Sequence, residues 1–152
     1  MINFERLKDV REDHDLSQKE MANILHVNRS TYSLWELGIN IIPLKYLSMF
    51  SDYFNLKIDY VLGLTNDKSD NLKKGLQFEI IGKNLKKLRI KYTLSQENMA
   101  FIIGVTQACI AKYEKGIIEI STSNLYKISK YFHVSMNSLC GKEKNRKKVI
   151  IK

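Results

Sequence analysis

Residues 16–38 read LSQKEMANILHVNRSTYSLWELG, and residues 94–116 read LSQENMAFIIGVTQACIAKYEKG. The two stretches lie 78 residues apart, and their alignment extends without a gap over residues 4–64 and 82–142, where 19 of 61 positions are identical. A period of 78 residues is too long for one unit of a solenoid. Each copy is therefore predicted to be a complete small domain, and the chain to be a tandem of two related modules.

Helices are predicted throughout both copies. Proline occurs only once, at Pro43, and no stretch alternates apolar and polar residues for long. In the first copy, Ser17 and Glu20 form a Ser-x-x-Glu capping box at the start of the second helix. Asn28 is a favourable N-cap for the third helix, and Gly38 is predicted to end it in a left-handed conformation. Ser95, Thr106 and Gly116 predict the same boundaries in the second copy.

Apolar residues recur at helical spacing and predict five helices in each copy. A first helix over residues 4–14 is followed by the two capped helices, a fourth that begins near Pro43, and a short fifth over Asp59 to Leu62. The residues predicted to face the core of the first copy are Leu7, Val10, Met21, Ala22, Leu25, Tyr32, Trp35, Leu47, Phe50 and Phe54. Those of the second copy are Ile81, Leu85, Leu88, Tyr92, Ile110, Tyr113, Leu125, Ile128 and Phe132.

These patterns predict a first module over residues 1–64, a linker over 65–80, a second module over 81–141 and a basic tail over 142–152. The net charge is unevenly spread: it is −2 over residues 3–64, +6 over 83–141 and +5 from Lys142 onward. A basic half attracts phosphate backbones or anionic membranes, and net charge alone does not choose between them. The tail is expected to be either an arm on phosphates or a solvated terminus.

Other classes of protein find little support in the sequence. No apolar run is long enough to span a bilayer and no signal peptide is recognisable, so a cytoplasmic location without membrane contact is expected. Cys109 and Cys140 have no CxxC spacing, and the three histidines have no metal-ligand spacing with them. Neither a metal, a cofactor nor catalytic residues are predicted, and an enzyme is not expected.

At the repeated segment the chain resembles the phage repressor and Cro type of helix-turn-helix, also called the xenobiotic-response-element family. That pattern has Gln early in the second helix, Ala four residues later, a Gly-Val turn, and then an aromatic or aliphatic residue, Glu, any residue and Gly. The matching residues are Gln18, Ala22, Val27, Trp35, Glu36 and Gly38, followed by Gln96, Ala100, Val105, Tyr113, Glu114 and Gly116. The resemblance covers about four-fifths of the chain. It implies an all-α fold of two tandem five-helix, lambda-repressor-like helix-turn-helix domains that bind DNA.

The family pattern assigns candidate DNA-binding residues to the third helix of each copy, whose early side chains meet base edges in the major groove. Arg29 is the best base reader of the first copy, because a guanidinium can donate two hydrogen bonds to guanine. In the second copy, Gln107 can pair with adenine and Ala108 can pack on a thymine methyl. By resemblance, Gln18 would hold a phosphate, and Gln96 occupies the same position. The remaining candidates are Asn28, Ser30, Ser33, Thr106, Lys112 and Lys115.

The chain is thus predicted to be a sequence-specific regulator of transcription, a repressor, that reads double-stranded DNA with one or both modules. Because the two sets of reading residues differ, we expect an asymmetric site if both modules bind, and a palindrome if a homodimer reads with one module. The alternative is a protein-binding regulator or antitoxin-like partner in which only the second module binds DNA. The acidic first module would then bind an effector protein or peptide. Its Ile39, Ile41 and Ile42 are expected either to make a protein contact, between the modules or between chains, or to pack in the core against the fourth helix.

One position departs from the family pattern. The turn residue is Gly104 in the second copy and His26 in the first. If this position requires a positive φ, glycine adopts it without cost, whereas histidine is strained.

Overall fold

The structure is a computed structural model that describes residues 2–68 and 72–144, and its regular elements are helices. The first module contains α1 (Glu5–Asp13), α2 (Gln18–Ile24), α3 (Arg29–Glu36), α4 (Leu44–Phe54) and α5 (Ile58–Val61). The second contains α6 (Phe78–Lys91), α7 (Gln96–Ile103), α8 (Gln107–Glu114), α9 (Thr122–Phe132) and α10 (Met136–Leu139). The predicted all-α fold of two five-helix modules is confirmed.

Capping side chains begin the helices where the sequence predicts. The Ser17 hydroxyl accepts a hydrogen bond from the Glu20 N–H at 3.0 Å, and the Ser17 N–H donates to the Glu20 carboxylate at 3.0 Å. Ser95 begins α7 in the same way, with Asn98 in the place of the glutamate. Asn28 and Thr106 cap α3 and α8 by accepting from the N–H three residues later. The starts of α3 and α8 are therefore set by the capping residues Asn28 and Thr106.

The buried side chains of both modules belong to one hydrophobic cluster, built largely from the predicted stripes. Tyr32 and Trp35 of α3 are buried against their module, as are Ile110 and Tyr113 of α8. The prediction for Tyr92 was wrong. Because α6 ends at Lys91, Tyr92 lies just beyond the helix with an exposed ring that contacts the Phe132 ring at 5.0 Å between centroids.

The α2–α3 and α7–α8 turns need a left-handed residue. His26 has a φ of 59°, and Gly104 has a φ of 76°. The turn position thus requires a positive φ, and His26 is strained there, because L-residues with side chains adopt this region at a cost in free energy. Nothing lies within 4 Å of the point that a Cβ would occupy at Gly104. A side chain at this position would therefore cost free energy only through the left-handed backbone, without steric overlap.

The helix α6 begins at Phe78, inside the stretch predicted as linker, and is longer than α1 at its N-terminal end. Gly82 makes this extension possible. A Cβ at that position would overlap the carbonyl oxygen of Tyr113 and lie 2.6 Å from that of Glu114. The absence of a side chain thus lets α6 pack directly against the end of α8.

The two modules contact one another through buried polar groups. The helices α5 and α10 pack together, and the Thr122 hydroxyl donates a 2.6 Å hydrogen bond to the Ile42 carbonyl. Lys142, the first residue of the predicted tail, is buried, and its ammonium lies 2.7 Å from the Asp52 carboxylate. Residues 145–152 of the tail lie outside the described residues.

Candidate nucleic-acid interface

Each module presents one pair of helices joined by a tight turn. In the first module, the Val27 N–H donates to the Ala22 carbonyl at 3.0 Å, and in the second the Val105 N–H donates to the Ala100 carbonyl at 3.0 Å. Together with the left-handed turn residue, these hydrogen bonds set the direction in which α3 leaves α2 and α8 leaves α7. The angle between the two helices is therefore built by the backbone in the same way in both modules.

The first turn of α3 is exposed. Arg29 and Ser30 lie at the surface, and the Arg29 guanidinium makes no hydrogen bond or ion pair within residues 2–68 and 72–144. The Asn28 side-chain oxygen is already occupied, since it accepts from the Thr31 N–H and the Ser30 hydroxyl, both at 2.8 Å. Ser33 is half-buried one turn later. Of these candidates, Arg29 has the greatest unused hydrogen-bonding capacity.

The first turn of α8 is also exposed, but its polar side chain is held. The Gln107 amide N–H donates to the Gln96 side-chain oxygen at 2.7 Å. Thr106 is committed to the cap, and Ala108 offers an exposed methyl group. This helix therefore presents a fixed amide and a small apolar surface where α3 presents a free guanidinium.

Lys112 and Lys115 are exposed at the C-terminal end of α8. Neither takes part in an ion pair in the described part of the chain. Both ammonium groups are available to an anion such as a DNA phosphate.

Gln18 and Gln96 are both half-buried, and both belong to a network that the sequence analysis missed. In the first module, the Arg11 guanidinium donates to the Glu36 carboxylate at 2.6 and 2.9 Å and to the Leu16 carbonyl at 2.8 Å. The Gln18 amide donates to the same carboxylate at 3.2 Å. This network ties α1, the start of α2 and the end of α3 together.

The same network recurs in the second module. Arg89 donates to Glu114 at 2.7 and 2.9 Å and to the Leu94 carbonyl at 2.9 Å, and Gln96 donates to Glu114 at 3.2 Å. Gln107 extends it to the exposed face of α8. A signal was present in the sequence, because these arginines and glutamates are opposite charges among the few polar positions identical in both copies.

Burial and hydrogen bonding act in opposite directions on the two carboxylates. Burial alone would raise the pKa of Glu36, but the hydrogen bonds from Arg11 and Gln18 outweigh it, and the pKa lies below its ordinary value. The pKa of Glu114 is lowered against burial in the same way by Arg89 and Gln96. The hydrogen bond to Glu36 also raises the pKa of Arg11. Both ion pairs therefore stay charged at neutral pH.

The surfaces of the two modules differ in charge. Asp9, Glu12 and Asp13 are exposed on α1, whereas Lys83, Lys86, Lys87 and Lys91 are exposed on α6. The loop after α3 carries Leu37 and Ile39, each 67% exposed, and Ile41, which is also exposed, whereas Ile42 is fully buried. Of the three isoleucines for which a protein contact or core packing was expected, Ile42 packs in the core, whereas Ile39 and Ile41 remain at the surface.

Residues 2–68 and 72–144 contain neither a candidate metal site nor a candidate membrane span. No group of three or more histidine, cysteine, aspartate or glutamate side chains is arranged to hold a metal ion there. None of the helices in these ranges combines the length and apolar character needed to cross a bilayer.

Comparison with known proteins identifies the repeated unit. The helix-turn-helix family matches residues 7–61 and 85–139, which make up more than half of the chain. A segment of 65 residues is 35% identical to Antitoxin PezA of Streptococcus pneumoniae serotype 4 (strain ATCC BAA-334 / TIGR4), over 43% of this chain and 41% of that protein. A segment of 63 residues is 30% identical to the HTH-type transcriptional regulator YobD of Bacillus subtilis (strain 168), over 41% of this chain and 56% of that protein.

Among solved structures, the chain is similar to the restriction-modification controller protein C.AhdI from Aeromonas hydrophila, with 27% identity and a TM-score of 0.39 over 41% of this chain and 94% of that one. The matched segments span about half the length of the two curated relatives. Because the family covers both copies of the repeat, the chain belongs to the helix-turn-helix family and carries two domains of the phage repressor and Cro type.

Proposed function

We propose that this chain is a sequence-specific, double-stranded DNA-binding regulator of transcription, acting as a repressor, and that α3 and α8 each enter a major groove. One observation carries the proposal. Both helices begin with an exposed first turn, and both are backed by the same partly buried arginine–glutamate–glutamine network. A rigid support of this kind holds reading side chains in place before DNA arrives, which lowers the entropy lost on binding.

In the first module, Arg29 is the proposed base reader. Its guanidinium has no partner among the described residues, so it can donate two hydrogen bonds to the O6 and N7 atoms of guanine. Asn28 and Ser30 hold each other at the cap, and we assign them, with Ser33 and Gln18, to the phosphate backbone.

In the second module, Gln107 is the proposed base reader. Gln96 holds one amide N–H of Gln107 and thereby orients the group, which can pair with the N6 and N7 atoms of adenine. Ala108 would contact a thymine methyl, and Lys112 and Lys115 would contact phosphates or guanine. Thr106 supports the cap from which the helix starts.

The two reading helices therefore prefer different bases, although one chain holds both. The buried contacts between the modules join them within the chain. A single chain that reads with both modules selects two unlike half-sites, whereas a symmetric dimer selects a palindrome. We therefore propose an asymmetric operator.

The proposal is tested with Arg29→Ala in the full chain, measured against duplexes that vary one base pair at a time. A lost bidentate contact costs about 1–3 kcal/mol at one position and relaxes the base preference there. The matched control is Lys8→Ala, which removes one exposed positive charge from α1. It is expected to leave the base preference unchanged. A uniform loss over all duplexes with Arg29→Ala would instead make Arg29 a phosphate contact.

A second candidate function is favoured by the surface of the first module. Its net charge is −2 over residues 3–64, and the adjacent Leu37 and Ile39 side chains are exposed. An acidic surface repels DNA, and exposed apolar side chains suit a protein contact. If the first module binds an effector protein or peptide, Arg29→Ala leaves DNA affinity unchanged while Gln107→Ala and Lys112→Ala lower it. Loss of affinity with Arg29→Ala excludes this division of roles.

A further inference from the structure

The contact between α5 and α10 joins equivalent parts of the two modules. Asp59 and Asn137 occupy the same position in the repeat, 78 residues apart. The Asp59 carboxylate accepts from the Met136 N–H at 2.8 Å and from the Asn137 N–H at 2.9 Å. In return, the Asn137 side-chain oxygen accepts from the Ile58 N–H at 2.8 Å. Each side chain thus binds the start of the opposite helix, as across a two-fold axis.

This reciprocal arrangement is not symmetric in charge. Asp59 has two acceptor oxygens and uses both, whereas Asn137 has one acceptor and an amide nitrogen that finds no partner among the described residues. Both side chains are buried, with exposed fractions of 5% and 0%. An aspartate at 137 would place a second acceptor oxygen where Asn137 has its unpartnered amide nitrogen. It would also bring a second carboxylate beside the first in a buried site, where like charges strongly oppose ionisation.

A second polar contact between the modules has the same one-sided character. The Lys142 ammonium is buried against the Asp52 carboxylate at 2.7 Å. The equivalent residues in the other module are Leu64 and Lys130, which lie together along one shallow cleft. If two second modules paired in this way, Lys142 would face Lys130. If two first modules paired, Asp52 would face Leu64 and lose its partner.

A third contact repeats the pattern. Thr122 is buried and donates to the Ile42 carbonyl of the first module. The residue equivalent to Thr122 is Leu44, which has no hydroxyl group. Two first modules would therefore lack this hydrogen bond.

We infer that the α5–α10 face is built to pair a first module with a second module and to disfavour pairing of either module with a copy of itself. Two first modules would bury two Asp59 carboxylates together, and two second modules would bury two Asn137 amides with unmet donors. The mixed pair avoids two facing carboxylates and leaves one unmet amide nitrogen instead of two. The partner of each module is therefore the other module of the same chain, and the chain is a monomer in solution. This conclusion goes beyond the proposed function and does not depend on DNA binding.

The test exchanges the two side chains in the full chain. Asp59→Asn alone leaves two amides in the contact, and Asn137→Asp alone leaves two carboxylates. Each is expected to lower the melting temperature by about 3–10 °C, because the first change takes an acceptor oxygen from a buried N–H group and the second places two carboxylates together in a buried site. The double exchange, Asp59→Asn with Asn137→Asp, restores one of each and is expected to recover at least half of that loss. The matched control is Asp9→Asn, an exposed position on α1, which is expected to leave the melting temperature unchanged.

Recovery in the double variant supports the inference, because a capping role of Asp59 alone would not be rescued by moving the carboxylate to the other module. A double variant whose melting temperature is no higher than that of the less stable single variant overturns the inference. Light scattering of the unaltered chain gives a second measurement that needs no variant to fold. A mass of 17.7 kDa between about 5 and 200 µM is expected, and a mass of two chains over this range overturns the inference.

Discussion

Replacing His26 by glycine is expected to stabilise the first module. His26 is the left-handed residue of the α2–α3 turn, with a φ of 59°, and its side chain is exposed. The imidazole makes no hydrogen bond or ion pair within the described residues, so its removal loses little. The second module already carries glycine at the equivalent position, with a φ of 76°.

The expected magnitude is the difference between two effects. A residue with a side chain loses about 1–2 kcal/mol in the left-handed region, and glycine avoids this loss. Glycine also increases the conformational entropy of the unfolded chain, which offsets about 0.4–1 kcal/mol of the gain. The midpoints of these two ranges leave a net gain of about 0.8 kcal/mol in the free energy of unfolding. For a chain of this size it corresponds to a rise of about 1–4 °C in the melting temperature.

The assay is thermal and urea unfolding of His26→Gly beside Gly104→Ala, which makes the opposite change in the second module. A Cβ at Gly104 meets nothing within 4 Å, so steric overlap does not contribute to its cost. We expect the first variant to be more stable than the unaltered chain, and the second to be less stable by a similar amount. A lower or unchanged melting temperature with His26→Gly would refute strain at this turn.

Three further changes test the packing, the ion pairs and the base readers. Gly82→Ala places a Cβ 2.6 Å from the Glu114 carbonyl oxygen and pushes α6 from α8, so we expect a loss of about 1–3 kcal/mol in urea unfolding. Glu114→Gln removes the charge from a partly buried ion pair and should lower the free energy of unfolding at pH 7 by about 1–3 kcal/mol. Because the folded pKa of Glu114 is lowered, its contribution is present above its ordinary pKa of 4.5 and is lost as pH falls through the folded value. Gln107→Ala should weaken binding by about 1–3 kcal/mol at one base position, measured by competition among single-base variants.

Each of these expectations can fail in a definite way. An unchanged urea midpoint for Gly82→Ala would mean that α6 and α8 are not in close contact. A stability difference between Glu114→Gln and the unaltered chain that stays constant from pH 7 to pH 3 would contradict the lowered pKa. Equal loss on all duplexes with Gln107→Ala would remove Gln107 as a base reader.

Much of the fold could be predicted because its signals are local. A capping residue acts on the N–H groups two or three positions later, so Ser17, Asn28 and Thr106 mark helix starts without knowledge of the tertiary structure. Helical spacing similarly predicts which faces of α4 and α9 are buried. The left-handed backbone at Thr93 had no such signal, because threonine ordinarily avoids that region.

The remaining features depend on residues far apart in the chain. Arg11 and Glu36 are separated by 25 positions and meet only after α1 packs beside α3. The contact between Asp59 and Asn137 spans 78 positions and joins two helices of four residues each, which are too short to show a periodic pattern. Comparison of the two copies is the one sequence signal for both features. Arg11 and Glu36 are identical in the two copies, which indicates the shared ion pair. Asp59 and Asn137 differ at one repeat position, which indicates the contact between the modules.

The proposed role of both modules in reading DNA is tested most directly by selecting bound sequences from a random duplex pool with the full chain. If α3 and α8 both read bases, the enriched site is asymmetric, with a guanine contacted through Arg29 in one half and an adenine contacted through Gln107 in the other. Repeating the selection with Gln107→Ala should then relax only the second half. Enrichment of a palindrome would contradict the account, because it would assign recognition to one module of a dimer.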